Sequence, residues 1–277
     1  MTTTESSAPE SLATTSDPPS RPGRVSWKSV ALPTEHGGWS LTAEPALLGL
    51  LVAWSWPGVA LGVAAMVAFL ARTPLKLVLV DRFRRRWLPR TRLAAQIAAV
   101  EVLLLAGFVG YAAFAAEPFW LPLAVAAPLV ALELWFDMRS RGRRLIPELA
   151  GSIGIGSVAT AIALADGAST RVAWGLWVVI AARSAAAIPY VRTQVLRTRS
   201  SGAPNWHSDA AQLAAAAATT VGWAFDLLPT AALVTIVVLI GVNLVALRLA
   251  PKPPAVIGTQ QMIFGMAVIL TTALALS

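Results

Sequence analysis

The sequence predicts an all-α polytopic transmembrane helix bundle of about nine helices, with the N-terminus cytoplasmic and the C-terminus outside. Three observations carry this reading. Of 277 residues, 56% are hydrophobic and 13% charged, against about 45–50% and about 25% in soluble domains. The apolar residues fall in runs close to the about 20 residues a spanning helix needs. The cations sit almost entirely in alternate connections between those runs, a bias that membrane insertion imposes.

Residues 1–30 are rich in Ser, Thr and Pro and hold no apolar run. Such a segment buries too little surface to offset its ordering entropy, so a disordered cytoplasmic tail is expected there. Without the apolar stretch of a signal peptide, the tail is expected to be retained. Residues 31–277 read as one transmembrane helical domain. Its candidate spans are roughly 40–56, 58–78, 93–115, 119–137, 145–165, 171–190, 209–226, 229–248 and 255–276. Turn chemistry separates them: Trp56-Pro57-Gly58, Glu117-Pro118, Asp166-Gly167, Pro229, and the run Pro251-Lys252-Pro253-Pro254. The second span is the least regular, because Arg72, Pro74 and Lys76 interrupt its end.

Charge tests the count independently. Of 22 cations, 20 lie in the tail or in the second–third, fourth–fifth, sixth–seventh and eighth–ninth connections and their helix ends. Arg171 lies on the opposite side and Arg183 inside a span. A wrong count would scramble this alternation. It predicts a multi-pass protein of the inner (cytoplasmic) cell membrane. The net charge of +8 is explained by topology and by contact of the Arg82–Arg92 cluster with anionic lipid, so no nucleic-acid partner is expected. The absence of cysteine excludes disulfides, thiolate zinc sites, iron–sulfur ligation and a cysteine nucleophile. Two histidines, His36 and His207, leave no histidine-rich metal centre.

Ionisable groups inside a bilayer cost about 2.5–3.5 kcal/mol each on insertion scales, so each asks for a partner or a purpose. The inventory is Glu44, Glu101, Glu133, Asp137, Glu148 and Arg183, with Asn243, Gln260 and Gln261 as neutral polar cases. Glu35 and His36 open the first span beside Gly37 and Gly38, and Glu44 follows next to Pro45. This is either an interfacial helix start or a charged mouth for a polar head group. Glu133 and Asp137, spaced i, i+4, share one helix face near its cytoplasmic end. They suit chelation of Mg²⁺ or an ion pair to Arg141. Arg183, too deep to snorkel easily, is expected to face the interior and meet Glu44, Glu101 or Glu148, or to clamp an anion. With Arg72, Lys76 and Arg192 it would line a cationic pocket for phosphate or carboxylate. Gly151, Gly154 and Gly156 form a small-residue face for close helix packing.

The opening Pro33-Thr34-Glu35-His36-Gly37-Gly38-Trp39, followed at once by the apolar body, resembles the YwiC-like family of bacterial membrane proteins. That resemblance implies weight at Glu35, His36, Gly37 and Trp39 without assigning them roles. The architecture is also similar to the UbiA prenyltransferase superfamily. There, the connections after the second and sixth helices carry Asp-rich motifs that hold Mg²⁺ and an isoprenoid diphosphate. This sequence departs from that pattern. Its second–third region has Asp81 alone and its sixth–seventh region runs through His207-Ser208-Asp209, which speaks against prenyl transfer by the two-metal route. Two functional classes follow. One is an intramembrane lipid enzyme or lipid-binding protein that holds an anionic isoprenoid or phospholipid at its cytoplasmic side. The other is a small-molecule or ion transporter, or a non-enzymatic subunit of a respiratory or envelope complex. The Pro-interrupted segments near Glu44 and Pro74 have no counterparts in the second half, and that favours the first class.

Overall fold

Apolar runs punctuated by proline and glycine become helices where the sequence predicts them. The computed structural model describes residues 27–32, 36–139, 142, 144–199 and 204–277. Among these are α1 (Trp27–Ala31), α2 (His36–Val52), α3 (Trp56–Phe83), α4 (Pro89–Ala115) and α5 (Trp120–Met138). They continue as α6 (Leu145–Ala165), α7 (Thr170–Arg199), α8 (Trp206–Ala224), α9 (Thr230–Ala246) and α10 (Pro254–Leu276), with no strand among the described residues. Most of the tail lies outside the described residues, but Trp27–Ala31 form a short helix packed on α3 and α4.

Six helices, α3 to α7 and α10, are long and apolar enough to cross a bilayer. α2 and α9 are apolar but have 17 residues each, about 25 Å at 1.5 Å per residue against a hydrocarbon core of ~30 Å. α8 has 19 residues but carries His207, Asp209 and Gln212 and falls short in apolarity. The chain is a multi-pass integral membrane protein built as an all-α bundle.

Two helices run well past the C-terminal ends of their predicted spans. α3 runs through Pro74 to Phe83, past its predicted end, where buried Asp81 accepts from Thr91 of α4. α7 continues to Arg199, and its extra turns supply caps. Gln194 Nε2 donates to the Ala246 carbonyl (3.1 Å) and Arg197 Nη2 to the Leu249 carbonyl (3.0 Å). Ala246 closes α9, where the last turn of a helix leaves acceptors without intrahelical donors, and Leu249 lies in the turn just after it.

The hairpin α6–α7 is the core. About two-thirds or more of the apolar window of each is buried, 67% and 72%, against 11% for α4. α5, α3, α2, α10, α9 and α8 surround it, and α4 lies outermost on α3. Leu48, Ala159, Leu176, Ile180, Ile236 and Ile269 join five of these helices in one apolar cluster. Ile162 centres a second with Leu61, Ala65 and Phe119. Trp177 is buried, and its indole donates to the Ile153 carbonyl at 2.7 Å. α7 approaches the α8–α9 corner so closely that a Cβ on Gly175 would overlap the Leu227 carbonyl.

Side-chain pairs show that alternate helix ends meet. At one end Arg248 is bidentate to Asp209 (2.7 and 3.1 Å), and Asn205 Nδ2 donates to the Leu247 carbonyl (3.2 Å). At the other, Arg171 faces Asp226 at 3.6 Å. The first, which also carries Arg82 to Arg92, Arg192 and Lys252, is the cationic end.

Candidate functional site

Arg183 projects from the middle of α7 into the point where α2, α9 and α10 converge, and is 5% exposed. Its Nη1 donates to Gln261 Oε1 at 3.1 Å and its Nη2 to the Gln261 main-chain carbonyl. Gln261 Nε2 in turn donates to Asn243 Oδ1 at 3.2 Å. Glu44, 6% exposed, supplies the counter-charge: its Oε1 lies 3.6 Å from Arg183 Nη2. Gly265 of α10 makes room for that carboxylate, since a Cβ there would overlap Glu44 Oε1. Of the three acids that the sequence offers Arg183, the structure chooses Glu44.

The pair is incompletely satisfied. At 3.6 Å the two groups attract as charges but are not hydrogen-bonded. Glu44 Oε1 and Arg183 Nε are both buried without a hydrogen-bond partner among the described residues. A buried polar atom left in that state costs about 1–3 kcal/mol, and more when charged. Beside the guanidinium is a cavity of about 10 Å³, bordered by Ala186, Leu239, Asn243, Gln261 and Phe264, room for a single water-sized group.

A second polar set lies toward the cationic end. Arg72 of α3 bridges the two acids of α5: Nη2 to Glu133 Oε1 at 2.8 Å and Nε to Asp137 Oδ2 at 3.0 Å. Lys76, one turn on, donates to Asp137 Oδ1 at 2.9 Å. Asp137 is fully buried. Glycines again permit the approach: a Cβ on Gly142 would overlap Asp137, and one on Gly151 of α6 would overlap the Glu133 carboxylate. Glu148, in the first turn of α6, faces Arg192 of α7 at 3.6 Å.

The i, i+4 acids thus do share a face, but their compensation comes from α3. Arg141 lies outside the described residues. Both Asp137 oxygens already accept from cations, so a divalent ion between Glu133 and Asp137 would stand against Arg72 and Lys76. As arranged, this donor set does not fit Mg²⁺. Among the described residues no group of three or more His, Asp and Glu gathers as a metal cage. Nor do Arg72, Lys76, Arg183 and Arg192 form one pocket: Arg72 and Lys76 meet at Asp137, while Arg183 faces Glu44 and Arg192 faces Glu148.

Glu35, and the side chain of His36 at the start of α2, lie outside what the structure describes. Glu101 lies on the stripe of α4 that also holds Ala94, Ala98 and Ala112, and its Oε2 is buried without a hydrogen-bond partner. Asn243 and Gln261 are polar residues whose place in the site the sequence does not announce. A signal existed: Asn243 stands shortly before the Pro251–Pro254 turn and Gln261 shortly after it, so the turn brings them to similar depth.

No curated protein and no solved structure matches this chain. The family model described as YwiC-like protein matches residues 32–163. That stretch runs from the entry to α2 nearly to the end of α6. It contains Glu44, Arg72, Lys76, Glu133, Asp137 and Glu148, while Arg183, Asn243 and Gln261 lie beyond it. Over residues 32–163, just under half of its length, the chain is similar to the YwiC-like protein family.

Proposed function

We propose that this protein is an intramembrane lipid-binding protein that holds an anionic amphiphile, its head a carboxylate or phosphate, at Arg183. The observation that carries the reading is the unspent hydrogen-bonding capacity of the buried Arg183–Glu44 pair. A guanidinium with an unpartnered Nε, next to a carboxylate held beyond hydrogen-bond range, can exchange its internal acid for an external one. Glu44 is the competitor that holds the site closed, and Gln261 and Asn243 hold the guanidinium in place. Arg72 and Lys76 with their α5 acids, and Arg192 with Glu148, form the charged approach from the expected cytoplasmic side. The likeness to UbiA prenyltransferases contributes the general plan of a helix bundle around an amphiphile. No metal is assigned a role.

The test is mass spectrometry of amphiphiles that co-purify with the full chain in mild detergent. Wild type is expected to retain one anionic amphiphile near stoichiometry. Glu44→Gln should retain more of it, because the competitor is gone. Glu44→Gln/Arg183→Gln, in which no charge is left unpaired, should retain none. Equal retention by all three would overturn the assignment to Arg183 and favour a transporter or a structural subunit.

A further inference from the structure

Outside the bundle core, α9 and α10 splay to leave a lateral groove of about 1040 Å³, at the upper end of the range for small-molecule sites, about 300–1,000 Å³. Its walls are apolar, with Val242 and Val245 on α9 and Val256 and Ile263 on α10. Phe264 borders both this groove and the Arg183 cavity, and stands between them. The groove is a separate site, and its occupant does not depend on the reading of Arg183.

We infer that the groove binds one anionic phospholipid from the leaflet at the cationic end. Three features select that occupant. The groove runs along α10 from Lys252, just before the helix, to Phe264, about 15 Å of helix rise. That is half of a ~30 Å hydrocarbon core, the depth of one leaflet. Lys252 stands at the mouth, exposed and without an acid partner among the described residues, whereas nearby Arg248 is taken by Asp209. A single cation over an apolar slot complements one phosphate over acyl chains. Gln260, also without a hydrogen-bond partner among the described residues, lies about 9 Å of helix rise inside the mouth. Helical side chains lean toward the helix N-terminus, here the mouth, so its amide reaches back toward the acyl ester carbonyls, which accept hydrogen bonds.

Glycines provide a clean test. A Cβ added at Gly241, on the groove wall, or at Gly258, on α10 outside it, would enter open space. Gly241→Leu is expected to occupy the groove, and Gly258→Leu is the matched control. The full chain, incorporated into vesicles of either phosphatidylglycerol or phosphatidylcholine, would be extracted gently and its retained lipid counted by native mass spectrometry. Wild type and Gly258→Leu are expected to keep one phosphatidylglycerol in preference to phosphatidylcholine. Gly241→Leu should keep at least tenfold less. Lys252→Gln should still bind lipid but lose preference for phosphatidylglycerol by about fivefold, the factor one lysine contributes near an anionic surface. Equal retention of the two lipids by wild type would overturn the proposal, as would an unchanged phosphatidylglycerol count in Gly241→Leu. Neither result bears on Arg183, whose variants leave the groove intact.

Discussion

Arg183 carries a charge that cannot be removed by deprotonation, because a guanidinium keeps its proton under any condition a protein survives. Its burial is tolerated through Gln261, which takes two of its nitrogens, and through the Glu44 charge at 3.6 Å. The two partners are unequal. Removing Arg183 leaves Glu44 as an uncompensated carboxylate in an apolar core, and breaking a buried pair in this way costs about 3–5 kcal/mol. Removing Glu44 leaves Arg183 still held by Gln261, so the cost is smaller. The expected order of stability in detergent, read from denaturant or thermal unfolding, places Arg183→Gln well below wild type. Glu44→Gln should lie between them, and the double variant should recover most of the loss of Arg183→Gln. Additive losses in the double variant would mean that the two side chains do not sense each other.

At the scale of elements, close approach decides the packing of α7. Gly175 faces the backbone of Leu227 at the α8–α9 corner, and its neighbours cannot yield as a flexible side chain would. Gly175→Ala should therefore separate α7 from that corner and lower stability by about 3 kcal/mol, within the range of overpacking. Gly107→Ala on α4, where a Cβ meets open space, should be neutral or slightly stabilising through helix propensity. Parallel melting curves of the two variants check this, and equal curves would contradict the tight α7 contact. The same elements show what can be read from sequence. Helix positions were legible because each break is marked by proline, glycine or an acid, and the i, i+4 acids of α5 declared their shared face. The extensions of α3 and α7 were not legible, because their polar ends read as connection until other helices supply partners: Thr91 of α4 for Asp81, and carbonyls at and just after the end of α9 for Gln194 and Arg197. Which helix neighbours which is a property of the bundle, and no local spacing encodes it. For the same reason the three acids open to Arg183 could not be narrowed to Glu44 from sequence.

At the scale of the whole molecule, the pairs Arg72–Asp137, Arg192–Glu148 and Arg248–Asp209 place alternate helix ends together. Apart from the interior Arg183, the described cations gather there, with Arg171 at the opposite end. Positively charged connections are retained on the cytoplasmic side during insertion, so the cationic end is predicted to be cytoplasmic. The sequence contains no cysteine, which makes the natural chain a ready background for accessibility labelling. Single cysteines at Glu117 and Asp166, exposed in the α4–α5 and α6–α7 connections, should react with a membrane-impermeant maleimide in intact cells. Cysteines at Trp87 and Ala250, exposed in the α3–α4 and α9–α10 connections, should react only after the membrane is opened. The reverse pattern would invert the bundle and move the mouth of the α9–α10 groove to the outer leaflet. Labelling of Trp87 and Ala250 on opposite sides would break the shared end itself. That result would also undo the assignment of Arg72, Lys76 and Arg192 as an approach from one side. The four-site pattern thus tests, in one experiment, the charge rule and the topology on which both lipid proposals depend.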